Sequence, residues 1–232
     1  MKNTPSAFRE GAARALPIAL GYVPVGFAYG VLAVKAGIPP ALAVLLSITL
    51  YAGSGQFVFV NLWAAGVGAA SIALTVMVVN LRHLLMSAAL SPHLAPLSRL
   101  QKCLFAHEIT DETFAMHIAA FNRGRPADPT TLFSCNVLAH ASWVFGGAAG
   151  AVFGSLLRDV RPYGLDYALI SMFIALLVPM CIQRLHAVLA LFAMALSVGL
   201  KLAGLGQWNV ILATLITATL GVILAKRSGR QL

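Results

Sequence analysis

The run from Ser71 to Leu90 contains Asn80-Leu81-Arg82-His83, and Arg82 is its one fixed charge. The residues around this tetrapeptide are almost all apolar or small, as in a membrane crossing. An arginine at mid-bilayer costs from about 3 kcal/mol on insertion scales to above about 10 in simulations of an isolated helix. Arg82 therefore has a use, or a partner that neutralises it. No acid occurs between Glu10 and Glu108, so the partner comes from elsewhere in the chain, from a bound anion or from a second subunit. Capping of carbonyls and snorkelling to the surface are the alternatives that need no ligand.

Two further clusters carry chemistry. In Tyr51-Ala52-Gly53-Ser54-Gly55-Gln56-Phe57, two glycines flank a serine in the middle of another apolar run. That pattern predicts a discontinuous helix with free N–H groups opening its second half. Such an N-terminus carries about half a positive charge and attracts carboxylates. Three of the seven acids, Glu108, Asp111 and Glu112, fall within five residues. Together the clusters suit a zwitterion. Gly53, Ser54, Gly55, Gln56, Asn80, Arg82 and His83 would form its carboxylate end. Asp111 and Glu112 would pair with the ammonium group or take part in proton coupling, and aliphatic walls would suit an apolar side chain.

Enzyme readings fit less well. His107-Glu108-Ile109-Thr110-Asp111 has the start of a zinc HExxH, but Asp111 stands where the second histidine belongs. Ser54 between glycines suggests a rhomboid-type intramembrane serine protease with His140 or His186 as base. That family has Gly two residues before its serine, where this chain has Ala52. A small-solute channel with Gly55 and Gln56 at a constriction is a third reading. Cys103, Cys135 and Cys181 are far apart and form neither a zinc spacing nor a disulfide framework; they read as buried small hydrophobes. No cofactor is implied.

The elements that position these residues follow from composition. Of 232 residues, 59% are hydrophobic and 10% charged, against about 25% charged in a soluble domain. Mean hydropathy is +0.86. The net charge of +9 sits mainly at the ends and between apolar runs, as on membrane flanks, which argues against nucleic acid as a partner. An all-α polytopic membrane protein is expected, with seven transmembrane helices. They fall near 12–34, 41–65, 71–90, 131–157, 167–182, 185–203 and 209–225. Pro17, Gly21, Pro24, Gly26 and Gly30 in the first suggest either a functional break or a close-packing face. They also interrupt it too early for a cleavable signal peptide.

Residues 99–122 read as one polar helix, interfacial or an eighth span, and 123–130 as a polar linker. As a single integral-membrane domain the chain divides into 1–96, 97–130, 131–204 and 205–232. Spans 1–3 and 4–6 share a texture consistent with a 3+3 inverted repeat of discontinuous helices. Basic residues at both termini favour an even number of crossings, which conflicts with seven.

With these residues in view, the chain resembles the AzlC family, the large subunit of branched-chain amino acid exporters. The matching stretches are Ala15 to Gly30, Tyr51 to Phe57, Val79 to Leu85 with Ser87 and Pro92, and Thr110 to Ala115. Gly55 departs from the alanine expected there, a change expected to loosen the break. The resemblance implies a bacterial or archaeal inner-membrane exporter of valine, leucine, isoleucine or analogues. It also implies a small AzlD-type membrane subunit as partner; a homo-oligomer stays open.

Overall fold

The computed structural model describes residues 6–154, 184–205 and 208–227, with isolated positions between 155 and 183. Every regular element among the described residues is helical. The chain forms two compact units, residues 1–172 and 173–232.

In the first unit, α1 (Ala7–Lys35) starts at Ser6, whose hydroxyl accepts from the Arg9 N–H at 3.4 Å. It runs on for 29 residues through Pro17 and Pro24, so the break considered for span 1 is not formed. Its glycines serve packing. A Cβ on Gly30 would lie 2.1 Å from the Gly147 carbonyl oxygen, and one on Gly150 would lie 2.0 Å from that of Phe27. Bare backbone on both helices is what lets α1 lie against α7 (Pro129–Gly154).

Gly37, at φ +81°, turns the chain into α2 (Pro40–Thr49), where proline in the first turn loses no hydrogen bond. The second expected span is indeed discontinuous, but its break lies one turn earlier than the glycines suggested. Residues 50–52 leave the helix, Ala52 is extended (φ −150°, ψ 94°), and α3 (Gly53–Ala64) follows. The Gln56 N–H already bonds the Ala52 carbonyl at 2.8 Å, so Gly53 and Gly55 open a helix rather than end one. Gly55 thus stands in the first turn of α3. A Cβ there would meet the Asn80 side-chain amide at 2.9 Å, so glycine lets Asn80 lie against α3.

α4 (Ala69–Leu90) ends in one 3-10 turn, Ser91–Leu94, and exposes Leu74, Met77, Leu81, Leu84 and Leu85. Residues 99–122 are two helices, not one: α5 (Arg99–His107) and α6 (Asp111–Asn122). Both N-termini are capped locally. Ser98 and Gln101 exchange side-chain and backbone bonds, and so do Thr110 and Thr113. Of the intervening residues Ile109 and Thr110 are buried, together with Phe105, Thr113 and His117 of the flanking helices.

The second unit holds α8 (Arg184–Leu202) and α9 (Trp208–Arg227). Asn209 Nδ2 of α9 donates to the Ser197 carbonyl at 3.2 Å and to its Oγ at 3.1 Å. Among the described residues, four helices are long and apolar enough to cross a membrane: α1, α4 with its 3-10 turn, α7 and α8. The apolar part of α9, Leu212–Leu224, is shorter. The span expected at 167–182 and the loop at 158–166 lie outside the described residues.

Candidate functional site

Two helix breaks meet in the first unit. The 50–52 break presents the first turn of α3, and the 108–110 break presents the first turn of α6. Between them stand Tyr22 of α1, Arg82 and His83 of α4, and Trp143 of α7. These elements enclose a cavity of about 20 Å³, room for about one water.

Arg82 closes the cavity. Its Nη1 lies 2.7 Å from Asp111 Oδ2, and its Nη2 donates to Ser54 Oγ at 2.5 Å. The partner demanded by the acid-free stretch is therefore on this chain, 29 residues further on, at the start of α6. A carboxylate there also faces the positive end of that helix. The neighbouring Glu112 accepts from the Tyr22 hydroxyl at 2.6 Å, and Tyr22 also meets Thr110 Oγ1 at 2.6 Å. Tyr22 packs edge-on to Trp143, with ring centroids 5.4 Å apart. The Trp143 indole N–H donates to Gln56 Oε1 at 2.7 Å, which fixes that ring from behind.

Polar capacity is left over. Asn80 Oδ1, Arg82 Nε and His83 Nε2 are buried without a hydrogen-bond partner among the described residues. Unpaired buried groups are costly, about 1–3 kcal/mol each, so their cluster beside the Arg82–Asp111 pair favours a polar ligand. Glu112 also borders an open groove of about 540 Å³ between α1 and α6, with Arg14, Arg123 and Arg125 on its walls. Its carboxylate stands between groove and closed cavity.

The sequence matches the family described as AzlC protein over residues 17–157, which takes in both helix breaks and every charged group of the cavity. The chain belongs to the AzlC family. It is 34% identical to the Escherichia coli inner membrane protein YgaZ, over 95% of this chain and 90% of that protein. It is 26% identical to the Bacillus subtilis branched-chain amino acid transport protein AzlC, over 96% and 86%. An uncharacterized membrane protein of Archaeoglobus fulgidus is 30% identical, over 90% and 91%. No solved structure matches significantly. This AzlC-family chain is a multi-pass membrane protein.

Within the AzlC-family cavity, Gly53, Ser54, Arg82, His83, Asp111 and Glu112 all stand on the wall. Gly55 and Asn80 lie one layer back against each other, and Gln56 is fully buried behind Trp143. Sequence reasoning missed Tyr22, Tyr51, Thr110 and Trp143 as wall residues. The two tyrosines and the threonine lie inside the stretches that carry the family resemblance. Trp143 gave no signal, since an isolated aromatic in an apolar helix reads as packing.

Ser54 does not meet His140, the first base considered for a serine hydrolase. Both ring nitrogens of His140 are engaged elsewhere, by Glu108 and by the Ser47 carbonyl. Nor are the cysteines uniformly buried: Cys135 is, Cys181 is half-buried and Cys103 is exposed.

Proposed function

We propose that this AzlC-family protein exports branched-chain or other small apolar amino acids across the inner membrane by proton-coupled secondary transport. The observation that carries the reading is the Arg82–Asp111 ion pair, 2.7 Å long, set at a helix N-terminus inside the membrane-embedded unit. A zwitterionic amino acid is complementary to both halves of that pair. Its carboxylate takes Arg82 with the first-turn amides of Gly53 and Ser54, while its ammonium takes Asp111 and Glu112. One ion pair is exchanged for two without changing the net charge of the site. A cavity of about 20 Å³ is too small for even a small amino acid beside the pair, so binding separates Arg82 from Asp111.

The broad groove bordered by Glu112 offers a path to the cavity. Its mouth is basic, the flank that faces the cytoplasm under the positive-inside rule. The printed name of the Bacillus subtilis relative supports branched-chain amino acids as the first substrates to test. The reading also includes a small AzlD-type partner and the seven-crossing inverted repeat, in which the broken α2–α3 segment would be the second span of the first half.

Efflux of preloaded valine and leucine from cells tests it. Three strains are compared: this chain alone, the chain with its adjacent small subunit, and the pair carrying Arg82→Ala. Faster efflux by the pair, lost in the variant at equal membrane abundance, is the expected result. Normal efflux by Arg82→Ala removes Arg82 from the site and the site model with it.

A further inference from the structure

Outside the cavity, a partly buried histidine–carboxylate pair, on the wall of an open pocket of about 430 Å³, has no part in the substrate site. His140 Nδ1 lies 3.0 Å from both carboxylate oxygens of Glu108, and His140 Nε2 lies 3.0 Å from the Ser47 carbonyl. The two side chains retain only 14% and 15% of their exposure. A backbone carbonyl can only accept, so Nε2 carries a hydrogen. With Nε2 as the N–H, a neutral ring would turn the Nδ1 lone pair towards an ionised carboxylate at 3.0 Å, and the two would repel. The contact is attractive when one more proton is present, on Nδ1 or on the carboxyl group. The geometry therefore describes a pair loaded with one proton: neutral when loaded, singly negative when empty.

The location gives that proton leverage. Ser47 lies in the last turn of α2, where carbonyls have no intrahelical donor, immediately before the 50–52 break. Glu108 opens the 108–110 break. His140, on α7, thus ties together the two breaks that present Gly53 and Ser54 on one side and Asp111 and Glu112 on the other. Among the described residues, the other titratable rings in contact with it are Tyr51, stacked at 3.9 Å, and His107 of α5, at 6.2 Å between ring centroids; Ile48, Val137 and Val144 line the pocket beside it. Tyr51 is itself a wall residue of the cavity.

We propose that Glu108 and His140 form the proton-binding site that couples transport to the proton gradient, with one proton bound per cycle. Loaded, the pair holds the two helix breaks together and the cavity shut. When the proton leaves to water, the carboxylate and the Nδ1 lone pair repel, the tie between α2, α7 and the 108–110 segment loosens, and Arg82 and Asp111 are free to part. The next proton from the opposite side of the membrane resets the pair. This inference rests on the transport reading and assigns the proton to a different place from the substrate charges.

The test separates coupling from binding in proteoliposomes carrying the full chain with its small subunit. Two modes are measured: counterflow of labelled valine into vesicles loaded with unlabelled valine, and accumulation of labelled valine driven by an imposed pH gradient. Glu108→Ala and His140→Ala, which remove the tie and the proton site together, are expected to keep counterflow within about twofold of the wild type and to lose gradient-driven accumulation. Accumulation by Glu108→Ala at the wild-type level overturns the assignment. Absence of valine counterflow in the wild type overturns the transport reading instead. Should a variant lose both modes, proton exchange by the wild type decides. In lightly buffered detergent, valine binding is expected to shift the bulk pH by about one proton per protein, and binding with no shift overturns the proposal.

Discussion

At the scale of single residues, the Arg82–Asp111 pair sets both the stability and the chemistry of the site. Each side chain keeps a little under a third of its exposure, 30% and 28%, so removing one partner strands a half-buried charge. Breaking a fully buried pair costs about 3–5 kcal/mol; for this one about 1–3 kcal/mol is expected. Asp111→Ala should therefore lower the unfolding temperature in detergent, and Arg82→Ala/Asp111→Ala should recover part of that loss. A double variant no more stable than the single would mean that Arg82 has other sufficient partners. The need for a partner was legible in the sequence, because 97 consecutive residues, 11 to 107, contain no acid. Which acid answers it was not. Asp111 and Glu112 are adjacent and chemically alike, and the choice depends on how α6 is rotated against α4. Gln56 shows the same limit: its polarity pointed to the site, but the packing of α3 on α7 turns it to Trp143.

At the scale of elements, local signals place one broken helix well and two other segments poorly. Glycines beside Ser54 mark a discontinuity within a turn of its true position, whereas 99–122 reads as one polar helix although the Thr110–Thr113 cap divides it in two. The proline and glycine content of α1 suggested a break that tertiary contact overrides, since most of those glycines face α7 rather than a cavity. Two substitutions separate these roles. A Cβ on Gly150 meets the Phe27 backbone at 2.0 Å, whereas one on Gly21 has nothing within 4 Å. Gly150→Ala is expected to destabilise the protein by about 1–3 kcal/mol or more through overpacking. Gly21→Ala gains helix propensity and should be neutral or stabilising by up to about 1 kcal/mol. Thermal unfolding of the two purified variants checks the contrast, and equal midpoints would show that α1 and α7 pack less closely than described.

At the scale of the molecule, the first unit is closed around its charges. Tyr22 bonded to Glu112 and Thr110, Arg82 bonded to Asp111 and Ser54, and His140 bonded to Glu108 and Ser47 each bridge separate elements. A transporter with such an arrangement must break several of these bridges in each cycle, and ligand binding can favour the open form only by its differential affinity for it. A zwitterion supplies that difference because the ion pairs it offers are made only when Arg82 and Asp111 are apart. Ala52 reports the change: it is 3% exposed and lies on the cavity wall. With Cys103, Cys135 and Cys181 replaced by serine or alanine, an Ala52→Cys variant is expected to react slowly with a membrane-impermeant maleimide at rest. Added valine should speed labelling several-fold as the cavity opens during turnover. A rate unchanged by valine, in a variant that still transports it, would place the substrate path elsewhere. Glu108→Ala in the same background should label fast with or without valine, because alanine cannot tie the two helix breaks together.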